Sequence, residues 1–237
     1  MSPPVAHADG DHGGMDGLST PEILARISDG LGDWRKMAQP LAARYRAADP
    51  VAGASFVAAV AQAAAAAGHD VPESRWGRSV IDVFLFSTDA AGYRRVTAED
   101  LELAGVISGI ARACGLTALP GEVTQVELGL DTADDAAAGA FWAALLTGST
   151  GRLVADTLFD PSNRVPGVWF QPTEAHRTPR QRWHPDLWLA PEVADERIAA
   201  ALAAGGTLVD DSEAPSYTVL ADPEGNKVCV CTPLGRE

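Results

Sequence analysis

Cysteine is scarce in this chain. Cys114, Cys229 and Cys231 are the only three in 237 residues, too few and too badly spaced for a disulfide framework or a structural zinc site. No apolar stretch reaches the length of a membrane span, since residues 54–67 are short and mostly alanine. The first residues lack a basic segment followed by an apolar core, so no signal peptide is expected. Positive charge is also in short supply. With 18 basic and 32 acidic residues the net charge is −14, which argues against a nucleic-acid backbone or an anionic membrane surface as partner. The sequence has no Walker phosphate loop, no dinucleotide fingerprint and no nucleophile elbow. These absences predict a cytoplasmic protein, and no bound cofactor is expected.

What is present divides in two. The length suits two domains of ordinary size. Residues 1–17 carry Gly, Asp, His and Pro without periodicity and predict a mobile tail. His7 and His12 in that tail have no fixed companion ligand. Leu119-Pro120-Gly121 has the composition of a domain boundary. The expected division is therefore a tail over 1–17, one domain over 18–118 and another over 121–235.

In the first domain Thr20-Pro21-Glu22 starts a helix, with Pro21 where its missing N–H matters least. Trp34 follows. Residues 37–47 fit two short strands, and 50–67 an Ala-rich helix with Phe56, Val57 and Val60 on one face. Residues 80–86 form an apolar run that reads as a buried strand. Thr97 and Asp100 stand just before Leu101, Leu103, Ala104, Val106 and Ile107, the pattern of a capped amphipathic helix.

In that order Gly68-His69-Asp70-Val71-Pro72, the strand ending at Thr88-Asp89, and the Thr97-x-x-Asp100 turn resemble the pterin-4a-carbinolamine dehydratases over about residues 18–116. The resemblance implies a small α+β fold and loss of the 4a-hydroxyl of a reduced pterin (tetrahydrobiopterin type) as water, by general acid/base transfer between histidines. Here His69 fits the first of the family's His pair, Asp70 stands in the second place, and Asp89 replaces the His after Thr88. A carboxylate titrates near four and an imidazole near neutrality, so Asp70 and Asp89 need raised pKa values to act as acids. His69 is the main acid/base candidate, with Asp70 and Asp89 assisting and Glu73, Trp76 and Thr88 as candidate substrate contacts. A His after Gly at a helix end equally suits a C-terminal cap, and an Asp after a strand equally suits a turn.

After residue 121 the pattern repeats. Strands are expected at 123–130, 153–157 and 168–171 around a helix at 134–146, then at 183–189, 207–209, 217–221 and 227–231 around a helix at 193–204. Two βαβββ modules follow. Phe141-Trp142 and the turn Asp222-Pro223-Glu224-Gly225-Asn226 resemble glyoxalase-like domains of the vicinal oxygen chelate superfamily, over roughly 121–233. By that resemblance, metal ligands would fall at Gln125, near Gln171, at His184 and near Cys229. Two amides, one imidazole and a thiol suit a hard divalent ion poorly, so no metal is expected. His184 and Trp188 are candidates to line a cavity, although structural roles suit them as well.

The expected architecture is α+β: a dehydratase-like helix and antiparallel-sheet domain joined to a paired βαβββ glyoxalase-like domain. The expected protein is a lyase of the dehydratase kind, and both resemblances imply a homo-oligomer. The alternatives are a non-catalytic small-molecule binder that keeps both folds, or an enzyme acting in the C-terminal cavity.

Overall fold

A computed structural model describes residues 17–125, 127–162, 164–175, 185–189, 191–232 and 234. The chain divides into two compact units, one reaching to Gln125 and the other starting at Val126. No helix among the described residues is long and apolar enough to cross a membrane. The predicted tail over 1–17, with His7 and His12, lies outside the described residues except for Gly17.

The first unit runs α1 (Thr20–Ser28), β1 (Trp34–Lys36), β2 (Leu41–Arg46), α2 (Pro50–Ala66), β3 (Glu73–Gly77), β4 (Val80–Leu85), β5 (Ser87–Thr88), β6 (Arg94–Arg95), α3 (Ala98–Ala113) and β7 (Thr117–Ala118). The sheet order is β1-β2-β4-β3, antiparallel throughout, with β7 added beside β2. Each helix start is set locally. Ser19 and Glu22 form a capping box at α1, and the Asp49 carboxylate accepts from the Ala52 N–H at α2. Strict alternation in β4 buries Ile81, Val83 and Leu85 against the helices. They meet Phe56, Val60 and Ala64 of α2 and Leu101, Ala104 and Ile107 of α3, and burial of each large apolar side chain contributes roughly 1.5–3 kcal/mol.

Sequence expectations change here. β1 lies ahead of the expected 37–47, and β3 matches no expected strand because Glu73-Ser74-Arg75-Trp76-Gly77 is polar and almost wholly exposed; as an edge strand it needs little apolar content. Around the expected boundary, residues 117–118 pair with β2, Pro120–Glu122 forms a 3₁₀ turn, and the Gln125 side chain accepts from the Ala38 N–H and donates to Gln39. Those contacts keep 119–125 with the first unit.

The second unit repeats one order twice: β8 (Glu127–Thr132), α4 (Asp135–Thr147), β9 (Leu153–Val154), β10 (Thr157–Leu158), β11 (Gly167–Pro172), then β12 (Asp186–Trp188), α5 (Pro191–Ala203), β13 (Thr207–Asp210), β14 (Tyr217–Ala221) and β15 (Lys227–Cys231). The sheets are β8-β11-β10-β9 and β12-β15-β14-β13, and in each the first strand runs parallel to the last. The first strand begins at Glu127, later than the expected 123. Phe141, Leu145, Leu158, Phe170, Leu220, Val228 and Val230 share one core.

The second module holds both ends of α4. Glu224 accepts from the Ala133 and Asp134 N–H groups ahead of its N-terminus, and Arg197 of α5 donates to the Leu145 and Leu146 carbonyls at its C-terminus. An acid at the positive end and a guanidinium at the negative end both suit the helix dipole. Asp222, 2% exposed, accepts from Trp142 Nε1 at 3.1 Å as well as from Asn226 and Glu224 of its own turn.

Candidate functional site

The corner around His69 is built by two helix ends. Gly68 takes the left-handed conformation, φ +67°. The Gly68 N–H then bonds the Ala65 carbonyl and the His69 N–H bonds the Ala64 carbonyl, a Schellman closure of α2. This fixes where the imidazole leaves the chain. At α3, Thr97 and Asp100 form a capping box: Asp100 Oδ2 accepts from the Thr97 N–H at 2.7 Å and its hydroxyl at 3.1 Å. The other oxygen, Oδ1, meets His69 Nε2 at 2.9 Å. His69 Nδ1 lies 2.6 Å from its neighbour's carbonyl, that of Asp70.

Both ring nitrogens therefore face oxygen acceptors, and only the doubly protonated imidazolium can donate to both. Burial alone would depress the His69 pKa. The Asp70 carbonyl and the Asp100 carboxylate outweigh it and raise the pKa above its ordinary value. The His69 side chain is 9% exposed and that of Asp100 0% exposed, so this is a buried ion pair at the mouth of two helices. Glu99 adds a nearby negative charge, and its own pKa is lowered chiefly by a hydrogen bond to its backbone, with the imidazolium contributing.

The other predicted site residues do not gather here. Asp70 has an exposed side chain and contributes its carbonyl. Asp89 Oδ1 accepts from the Ala91 and Tyr93 N–H groups, both at 2.9 Å, so that oxygen closes the turn between β5 and β6. Thr88 is exposed on β5. Glu73 pairs in register with Phe84, outside the alternation that buries Val83 and Leu85. Trp76 lies against Gly53, where an added Cβ would meet its ring at 2.7 Å. Gly53 and the Ala64 that receives His69 stand 11 residues apart on α2, roughly 16 Å. Trp76 thus lies toward the opposite end of α2 from His69. Asp100, by contrast, is not among the expected site residues; the sequence offers it as a helix cap and as part of the Thr-x-x-Asp turn that carries the resemblance.

In the second unit His184 lies outside the described residues, as does the side chain of Trp188. Gln171 pairs in register with Asp131. Cys229 is pushed up to about 11, first by burial and then by Asp186. Among the described residues no three of His, Cys, Asp or Glu gather to hold a metal ion.

Residues 16–110 match the family model described as Pterin 4 alpha carbinolamine dehydratase, and 127–231 that described as Glyoxalase-like domain. The chain joins a dehydratase-like domain to a glyoxalase-like domain. Solved structures similar to the second include a glyoxalase/bleomycin resistance protein/dioxygenase family enzyme from Burkholderia phytofirmans PsJN, at 22% identity over 46% of this chain and 97% of that one, TM-score 0.36. Another is a glyoxalase/bleomycin resistance protein from Albidiferax ferrireducens T118, at 25% identity over 45% and 95%, TM-score 0.31. No curated protein matches.

Three of the four metal positions that the glyoxalase-like resemblance implies suit a metal poorly, the fourth, His184, lying outside the described residues. Gln125 precedes β8 and bonds within the dehydratase-like unit. A thiol held near 11 is a poor source of the thiolate that a metal needs. Gln171 offers a neutral amide. The sequence signal missed in this domain is a second Asp-Pro turn. Asp160-Pro161, between β10 and β11, repeats the place of Asp222-Pro223, and Asp160 accepts from Ser162 and Arg164 as Asp222 does from Glu224 and Asn226.

Proposed function

We propose that this protein is a hydro-lyase that removes water from a reduced pterin carbinolamine or a similar ring, acting as a homo-oligomer, with His69 as the acid and Asp100 as its positioning residue. The observation that supports this reading is the nearly sealed imidazole whose two nitrogens both meet acceptors, because such an arrangement favours the doubly protonated ring and raises its pKa. In a carbinolamine the imidazolium gives that proton to the departing hydroxyl and the carbon–oxygen bond breaks. The lone pair of the adjacent ring nitrogen closes the C=N bond, and the N–H proton then leaves to restore the imidazolium. Asp100 sustains the charged form and fixes the ring. Asp70 and Asp89 would act only through carboxylate oxygens outside the contacts described.

The assay is direct: loss of the 4a-hydroxyl from a tetrahydropterin carbinolamine by the full chain. His69→Ala is expected to lower turnover about a hundredfold to ten-thousandfold, the range for loss of a positioned acid/base group. Turnover within about threefold of the parent removes His69 from the mechanism. One observation favours a second reading, a binding protein without turnover: Asp89 closes a turn, which leaves a single imidazole where the family uses several. A pterin that binds without reacting selects that reading.

A further inference from the structure

The imidazole of His69 sits between two exposed acids. Asp70 follows it in the chain with its side chain outward, and Glu99 stands in the first turn of α3, one residue before the Asp100 whose Oδ1 meets Nε2 at 2.9 Å. Successive residues of a helix are turned by about 100°. Asp100 folds back to the sealed side, 0% exposed, whereas Glu99 faces solvent. An acid in a first turn suits the helix dipole by itself. What is particular here is its company: Asp70, Glu99 and Asp100 all interact with the one imidazolium. The corner therefore holds more negative charge than positive, and on the α3 side Glu99 is the part of it that lies open.

We propose that Glu99 stabilises the positive charge that the substrate ring acquires in the reaction proposed above, on which this inference rests. The His69 proton leaves with the hydroxyl as water, and the lone pair of the ring nitrogen closes the C=N bond. The ring is then a protonated iminium until its N–H proton returns to the imidazole. His69 is neutral in that interval, so the carboxylates have lost one cation and face another. Stabilising charge that develops only as the bond breaks lowers the barrier without tightening substrate binding. Asp100 is committed to His69 and Thr97, whereas the exposed Glu99 can approach the ring.

The test titrates the full chain calorimetrically at neutral pH with 1-methylquinoxalinium, a bicyclic ring with a fixed cationic C=N bond, beside neutral quinoxaline. The cation is expected to bind about tenfold tighter. Glu99→Gln should remove most of that preference while leaving quinoxaline unchanged, and high salt should shrink it, as it does for any exposed charge. In the dehydration assay Glu99→Gln should lower kcat about tenfold with KM little changed. Equal affinity for the two rings, a preference that survives Glu99→Gln, or no binding of the cation overturns the proposal, whatever the turnover; so does turnover that Glu99→Gln leaves intact. A Glu99-dependent preference in a protein without turnover supports the charge site and overturns the hydro-lyase reading instead.

Discussion

Asp100 in the first unit and Asp222 in the second are both sealed from water, 0% and 2% exposed, yet their partners differ in kind. Asp222 receives Trp142 Nε1, the Asn226 amide and two backbone N–H groups, none of which titrates near neutrality. Asp100 receives Thr97 and a histidine. Both carboxylates meet the requirement that buried charge be hydrogen-bonded. Only one is coupled to a group whose charge can change under mild conditions. A buried acid among donors that do not titrate near neutrality holds structure only, whereas one that meets an imidazole ties structure to the protonation of that ring.

The largest expected effect tests the fixed member. Asp222→Ala leaves Trp142 Nε1 and the Asn226 and Glu224 N–H groups without their acceptor, and each buried unsatisfied donor costs about 1–3 kcal/mol. With a deeply buried carboxylate removed as well, a loss of about 3–5 kcal/mol in stability is expected, with the Trp142 fluorescence environment altered. Denaturant unfolding of the parent and variant measures it. A loss below about 1 kcal/mol would mean that the turn does not clasp α4.

The second prediction tests the titrating member. The folded-state pKa of His69 is raised, so its contribution to stability is fully present below the unfolded value near 6.5 and is lost as pH rises through the raised folded value. Stability of the parent should therefore decline from about pH 6.5 upward relative to His69→Gln, which keeps a donor but cannot titrate. At pH 6 the variant should be less stable by about 1.5–3 kcal/mol, the scale of a hydrogen bond to a charged group. Parallel pH profiles for parent and variant would show that the imidazole is not proton-loaded in the folded protein, and would take the acid of the proposed reaction with it.

The two carboxylates also differ in how far sequence discloses them. The Asp-Pro-x-Gly-Asn turn and the Thr-x-x-Asp cap are local patterns; the cap disclosed the start of α3, and hydrophobic periodicity disclosed α2, α4, β4, β14 and β15 to within a residue or two. What they touch is not local. His69 and Asp100 are 31 residues apart, and Trp142 and Asp222 are 80 apart, so periodicity within a segment does not fix either contact. Trp76 shows the same limit from the other side. It is near His69 in the chain, but it packs on Gly53, toward the other end of α2. Polar edge strands such as β3 lack the apolar alternation that reveals β4, which is why the one was missed and the other found.

The smallest effect is expected at the contact that separates Trp76 from the His69 corner. Gly53 sits inside α2, where alanine ordinarily gains about 1 kcal/mol over glycine. Here the added methyl would meet the Trp76 ring at 2.7 Å, and forced repacking commonly costs 1–3 kcal/mol. The ring is 44% exposed and its Nε1 donates to the Arg78 carbonyl at 2.9 Å, so it can tilt outward only by straining that bond at the β3–β4 hairpin. The two effects nearly cancel. Gly53→Ala should change stability by less than about 1 kcal/mol while shifting Trp76 emission to the red, as the indole enters water. Because this contact lies at the far end of α2 from His69, the pH profile of stability should remain that of the parent. A Gly53→Ala protein that lost the pH dependence would mean that Trp76 and His69 form one site after all.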